Sequence, residues 1–448
     1  MKTRISSRNK YIVSVVLIAL AFSLSACSKD NNPVDSSGTS KVSGRITTTN
    51  GMPKTMAKAG SVTSSQGGTQ GAAVILAQVQ ADGSLKTVST QTVQTDVDGK
   101  FTVETNVSGA KNLVVVATQG TTEWKAIVSS TVQSGTTVYA PPLSAESTTE
   151  ADLFIKMVGQ GMSNDVDESD LKILVSNEAA MHMGGNANMQ MQFLTALQAG
   201  YQAMVQASQN SYFGFTAAQF QAMMSAKDDA AAKLDAAMYM SGDTEEETDN
   251  DMNDYEGTVL STYASQNINV SAYAELMRIG LTAFVNSTST MDAQTRLAIV
   301  RSFYKRYSFV LNFSMKQQFQ AAGAADAQIS AATSAGATLF GSIKSSTDLT
   351  QISDAFVQYH SSIESQLKVT LSTYATLIDT IDANINASGG AKDVLSAALN
   401  VSTSFDTVIN AYVTFFTAVK TAVQATLVGA SSTQVSAATQ ILILANMN

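Results

Sequence analysis

Apolar positions follow two regimes that change near residue 141. Before it they come as short β-branched runs broken by polar or glycine residues: Val42-Ser43-Gly44-Arg45-Ile46, Ala73-Val74-Ile75-Leu76-Ala77 and Leu113-Val114-Val115-Val116-Ala117. Such runs predict short strands. In Thr95-Asp96-Val97-Asp98-Gly99-Lys100-Phe101-Thr102-Val103, Asp-Gly lies between two extended stretches. Asp-Gly tolerates positive φ, which predicts a tight hairpin. Asp96 and Asp98 read as turn carboxylates accepting backbone N–H groups, with a calcium pair as the alternative. Trp124, the sole tryptophan, is expected between sheets.

Beyond residue 142 the spacing becomes helical. Leu349, Ile352, Phe356, Tyr359, Ile363, Leu367, Leu371, Tyr374, Ile378, Ile381 and Ile385 recur with a mean step of 3.6. That period predicts one straight helix from about Asp348 to Ala387, about 60 Å long, ended by Ser388-Gly389-Gly390. A second helix around Met291 to Gln320 carries Val300, Phe303, Tyr307, Val310 and Leu311 on one side, with Arg301 and Lys305 a turn apart on another. Ser147-x-x-Glu150 and Thr216-x-x-Gln219 have the capping-box pattern of helix starts. The four prolines are Pro33, Pro53, Pro141 and Pro142. Proline costs about 3 kcal/mol inside a helix, so its absence from the last 306 residues fits long helices. The expected fold is multidomain: an all-β sandwich over 41–142, then a large all-α helical bundle over 143–448.

The N-terminus carries an address. Lys2, Arg4, Arg8 and Lys10 precede an apolar run from Tyr11 to Leu24, which is shorter than the roughly 20 residues needed to span a membrane. This order of basic, apolar and small residues is that of a secretion signal, here residues 1–26. Leu24-Ser25-Ala26-Cys27 resembles the lipobox of bacterial lipoproteins, which implies cleavage before Cys27 and a diacylglyceryl group on its sulfur. Residues 27–40 read as a flexible tether. By the sorting rule of proteobacterial lipoproteins, Ser28 in place of aspartate favours the outer membrane, while Lys29-Asp30 faintly matches a surface-export signal of other lineages. Losing four positive charges takes the net charge from −9 to −13. Such a chain is a poor partner for nucleic acid. Cys27 is the only cysteine, so the folded part has no internal disulfide.

Three stretches of the β segment resemble the carboxypeptidase regulatory-like group of transthyretin-type sandwiches. They are Val42-x-Gly44-x-Ile46, Gly71-Ala72-Ala73-Val74 and Asp96-x-Asp98-Gly99-x-Phe101. The resemblance covers about 100 residues and implies a spacer or adhesion platform without catalysis. It departs from the group at Asn50 to Gln70, a long Gly/Ser/Thr/Lys segment that reads as a disordered insertion.

Catalytic chemistry finds little footing. The two histidines are His182 and His360, and no His-Glu-x-x-His or Gly-x-Ser-x-Gly occurs. With Cys27 alone, a thiol nucleophile is excluded. Gly336 and Gly341 have phosphate-loop spacing, but Ser342-Ile343 follows where lysine is required. Met181, His182, Met183, Met189 and Met191 form a cluster of soft ligands suited to Cu(I). The competing reading is core methionine ending a helix that carries Leu171, Leu174 and Val175. Asp243, Glu245, Glu246, Glu247, Asp249, Asp251, Asp254 and Glu256 occur with no basic residue among them. They predict a solvated loop between helices, with a weak cation or a basic partner as its possible guest. An EF-hand register from Asp249 lacks the sixth-position glycine and twelfth-position glutamate.

The expectation is therefore a lipid-anchored envelope protein, not an enzyme and without a cofactor. Its sandwich would act as spacer and its helices would bind an envelope protein. A periplasmic copper-handling protein and an envelope hydrolase are the alternatives.

Overall fold

A computed structural model describes residues 38–47, 68–164, 166–241, 245–402 and 404–447. Cys27, the tether up to residue 37, Asp243 and most of the Asn50 to Gln70 segment lie outside the described residues. Thr39 to Asn448 form one compact unit.

The β-rich region contains β1 (Ser40–Arg45), β2 (Ala73–Val79), β3 (Leu85–Thr87), β4 (Val93–Gln94), β5 (Lys100–Thr105), β6 (Leu113–Gln119), β7 (Thr122–Val128) and β8 (Thr137–Tyr139). One sheet has the order β5-β1-β8, and the other β3-β2-β6-β7 with β4 also paired to β2. β1 runs antiparallel to β5 and parallel to β8. Between the sheets lie Val42, Val74, Leu76, Phe101, Val103, Leu113 and Val115, the alternate residues of their strands. Trp124 packs half-buried against this layer.

The Asp-Gly turn forms, but it does not close a hairpin. Asp96 Oδ1 accepts the N–H groups of Asp98 (2.9 Å) and Lys100 (2.8 Å), and Gly99 has φ 73°. Its two arms join different sheets, since β4 pairs with β2 while β5 pairs with β1. Close packing fixes that choice. Phe101 lies opposite Gly44, where a Cβ would come within 2.3 Å of the ring.

The five-residue run of β6 is buried on both sides. Leu113, Val115 and Ala117 face the other sheet, whereas Val114 and Val116, with Val79 and Ile127, belong to the helical core. The proline pair thus marks a change of secondary structure rather than a gap in packing. Right after it, Ser147 Oγ donates to the Lys125 carbonyl of β7 at 2.7 Å and Lys125 N–H donates to Thr148 Oγ1 at 3.0 Å.

The helices are α1 (Ala145–Gly159), α2 (Glu168–Leu174), α3 (Asn177–Met183), α4 (Ala187–Ser208), α5 (Ala217–Met240), α6 (Glu245–Ser265) and α7 (Val270–Ser287). Then come α8 (Ala293–Ala322), α9 (Asp326–Ser345), α10 (Leu349–Thr370), α11 (Ala375–Asn386), α12 (Ala391–Asn400), α13 (Phe405–Thr426) and α14 (Ser432–Asn446). Thr216 and Gln219 form the expected capping box of α5. At α1 the box is Ser144 with Ser147, one turn earlier than expected, which leaves Glu150 inside the helix. Among the described residues no helix is long and apolar enough to cross a membrane.

Two further expectations are corrected. Glu245 to Ser265 is helix, not a solvated loop. The straight 60 Å helix is two helices, α10 and α11, separated by a 3₁₀ turn at Ser372–Tyr374. His360 Nε2 and Asp382 Oδ1 lie 2.9 Å apart. On a straight helix those residues would stand about 33 Å apart. The chain therefore reverses, and both arms bury the same stripe, Ile352 to Leu367 on one and Ile378 to Ile385 on the other.

Candidate functional site

Two charged networks occupy the interior. In the first, Asp170 of α2 is fully buried among the helices. It accepts from Lys227 of α5 at 3.0 Å through both oxygens, and also from Tyr201 and Arg306. Arg306 Nε lies 2.5 Å from Glu256 of α6. Burial pushes the Asp170 carboxyl up, but Lys227, Arg306 and the Tyr201 hydroxyl outweigh it and bring it down to about 2. Burial disfavours the Lys227 charge as well, yet the Asp170 carboxylate holds this lysine well above its usual value. Arg306 Nη2 and Glu256 Oε2 have no hydrogen-bond partner among the described residues. Breaking such a pair leaves an uncompensated charge, which costs about 3–5 kcal/mol.

The second network joins the β-rich region to the helices. Lys172 of α2 is fully buried, paired with Asp235 of α5, and donates to Ser129 Oγ (2.7 Å) and the Ile127 carbonyl (3.2 Å). Asp235 in turn accepts the Ser129 N–H at 2.7 Å. Nearby, burial raises Glu150 of α1 to about 7, Lys172 opposing the rise and Asp235 adding to it. Glu150 borders a small cleft with Ser144, Glu146, Ser147, Ser241 and Asp251, of about 40 Å³. That volume admits a few waters or an ion rather than an organic substrate.

The five soft-ligand candidates lie on α3 and at the start of α4. Met181 is exposed and Met183 is buried in the helical core, on opposite sides of α3. Met191 Sδ accepts from Gln160 (3.0 Å) and Met189 Sδ from Thr295 (3.6 Å), while His182 is half-buried. The helix expected to run through Leu171 and Met181 breaks at Val175 and Ser176, so these residues lie on two short helices.

The acidic segment finds its counter-charges across the fold. Asp249 is buried against Lys305 of α8 and Lys344 of α9, the latter at 2.7 Å. Glu256, two turns on, meets Arg306. Asp251 accepts from Ser241 Oγ at 2.5 Å. Glu245, Glu246 and Glu247 lie in the first turn of α6. In the sequence, the three basic residues Arg301, Lys305 and Arg306 clustered within α8 were the signal for these partners. Arg301 takes Glu178 of α3.

Among the described residues one group combines three metal-ligating side chains, His360, Glu364 and Asp382, whose donor atoms lie within 4.8 Å of one another. His360 and Glu364 stand four apart in the sequence. Asp382 reaches them only because the predicted straight helix folds back. Compared with protein-family models, curated proteins and solved structures, the chain matches none of them.

Proposed function

We propose that this is a lipid-anchored cell-envelope protein with a non-catalytic binding role, held through Cys27, favouring the outer membrane. In this reading residues 1–26 are removed, about a dozen tether residues follow the lipid, and they reach at most roughly 45 Å. The β-rich region, with its resemblance to the carboxypeptidase regulatory-like group, serves as the membrane-side platform. Helices packed on one sheet would make that platform rigid rather than a loosely strung spacer.

The observation that carries the reading is the surface of the C-terminal helices. Val357, Val369, Leu377 and Val394 are exposed on α10, α11 and α12, and Val401 and Val428 in the turns after α12 and α13, where the outer positions of the flanking helices are mostly Ser, Thr, Gln and Asn. Depletion of charge around exposed apolar side chains is the composition of protein interfaces. Crosslinking in native membranes followed by pull-down tests it. A reproducible set of envelope proteins should be recovered with the wild type and lost with Val401→Glu/Val428→Glu. Recovery of the protein alone, or the same set with the variant, contradicts the binding role.

A further inference from the structure

We propose that His360, Glu364 and Asp382 bind a first-row divalent transition-metal ion, such as Zn²⁺, across the α10–α11 hairpin. His360 and Glu364 share one face of α10 because they are one turn apart. Asp382 comes from the antiparallel arm, and His360 Nε2 already stands 2.9 Å from its Oδ1. An ion with bonds of about 2.1 Å holds its donors about 3–4 Å apart. The three donor atoms lie within 4.8 Å of each other, so a small rotamer change closes the set.

The donor chemistry selects the ion. One imidazole with two carboxylates suits borderline first-row ions, whereas Ca²⁺ and Mg²⁺ take oxygen ligands. The site is also supported from behind. Asn446, fully buried, donates Nδ2 to Asp382 Oδ1 at 3.2 Å and accepts from Asn386 at 3.1 Å. Fixing a carboxylate in this way is what outer partners do in metal sites. Side-chain exposures of 12% for His360, 13% for Asp382 and 17% for Glu364 leave the group shielded but reachable.

Two ammonium groups compete for this charge. Lys368 lies 3.2 Å from Glu364 and 2.7 Å from Asp379, so it can leave the first for the second. Lys392 faces Asp382 as well. The simpler role, a His360–Asp382 hydrogen bond closing the hairpin, has no need of Glu364. That residue therefore separates the two.

The test is equilibrium binding of Zn²⁺ to the full-length chain in detergent, after chelator treatment. One equivalent should bind at micromolar strength or tighter, and His360→Gln should abolish it. Glu364→Gln, with helical circular dichroism unchanged, should weaken binding about tenfold or more. Met181→Leu/Met189→Leu should leave it intact. Absence of a stoichiometric site, binding indifferent to Glu364→Gln, or Ca²⁺ bound as tightly as Zn²⁺ would each overturn the assignment.

Discussion

Glu275 shows how far the interior departs from ordinary solution chemistry. It sits on α7, 1% exposed, and burial raises its carboxyl to about 8 against the opposing hydrogen bonds of Tyr212 and Gln440 and the charge of Lys420. The folded state thus keeps a proton that the unfolded chain releases near 4.5. The Glu275 contribution to stability falls as pH rises from about 4.5 to about 8, by up to about 1.4 kcal/mol per pH unit, and levels off above. Glu275→Gln should flatten that slope, read from urea midpoints at several pH values across the window. An unchanged slope would place the proton elsewhere. Asp170 works in the opposite sense: its carboxyl is held at about 2, so its stabilisation is present above the unfolded value of 3.8 and is lost as pH falls through that interval.

At the scale of elements, hydrophobic period reports which face is buried and not whether the chain turns back. The stripe from Leu349 to Ile385 keeps its phase through the reversal because Leu371 is buried at the turn itself and Tyr374 half-buried beside it. Neither glycine nor proline marks that point. Spin labels at Gln358 and Asn384 distinguish the two forms. They should lie within about 20 Å in the hairpin. A straight helix would hold them about 39 Å apart, and that distance would refute the fold-back. The β-branched runs and the Thr216 cap were legible because their causes are local. The acidic helix α6 was not, since its neutralising partners lie far along the chain, Lys305 being 56 residues from Asp249. Asp170 and Arg306, 136 residues apart, were hidden for the same reason. Of the histidine group, His360 and Glu364 could be paired from their spacing, whereas Asp382 required the fold.

For the whole molecule, the shared core of sheet and helices has a consequence for unfolding. Val114, Val116 and Ile127 of the sheet are buried in the same cluster as Phe154, Leu171 and Leu174. The Lys172–Asp235 pair ties the Ser129 backbone and side chain to α2 and α5. Residues 39–448 should therefore unfold in one transition. Trp124 fluorescence reports on β7, and circular dichroism at 222 nm reports on the helices. The two melting curves should coincide. Separate midpoints would mean that the β-rich region is an independent domain, as the composition change at Pro141-Pro142 first suggested. In the proposed role this body, on its flexible tether, would present its helical surface to a partner within reach of the membrane. That use depends on the anchor, so the most direct measurement is membrane fractionation of the wild type beside Cys27→Ala. The wild type should sediment with membranes and carry a diacylglyceryl-modified Cys27 by mass spectrometry, and the variant should be released. A Cys27→Ala chain that still sediments as an integral membrane component would contradict lipid anchoring.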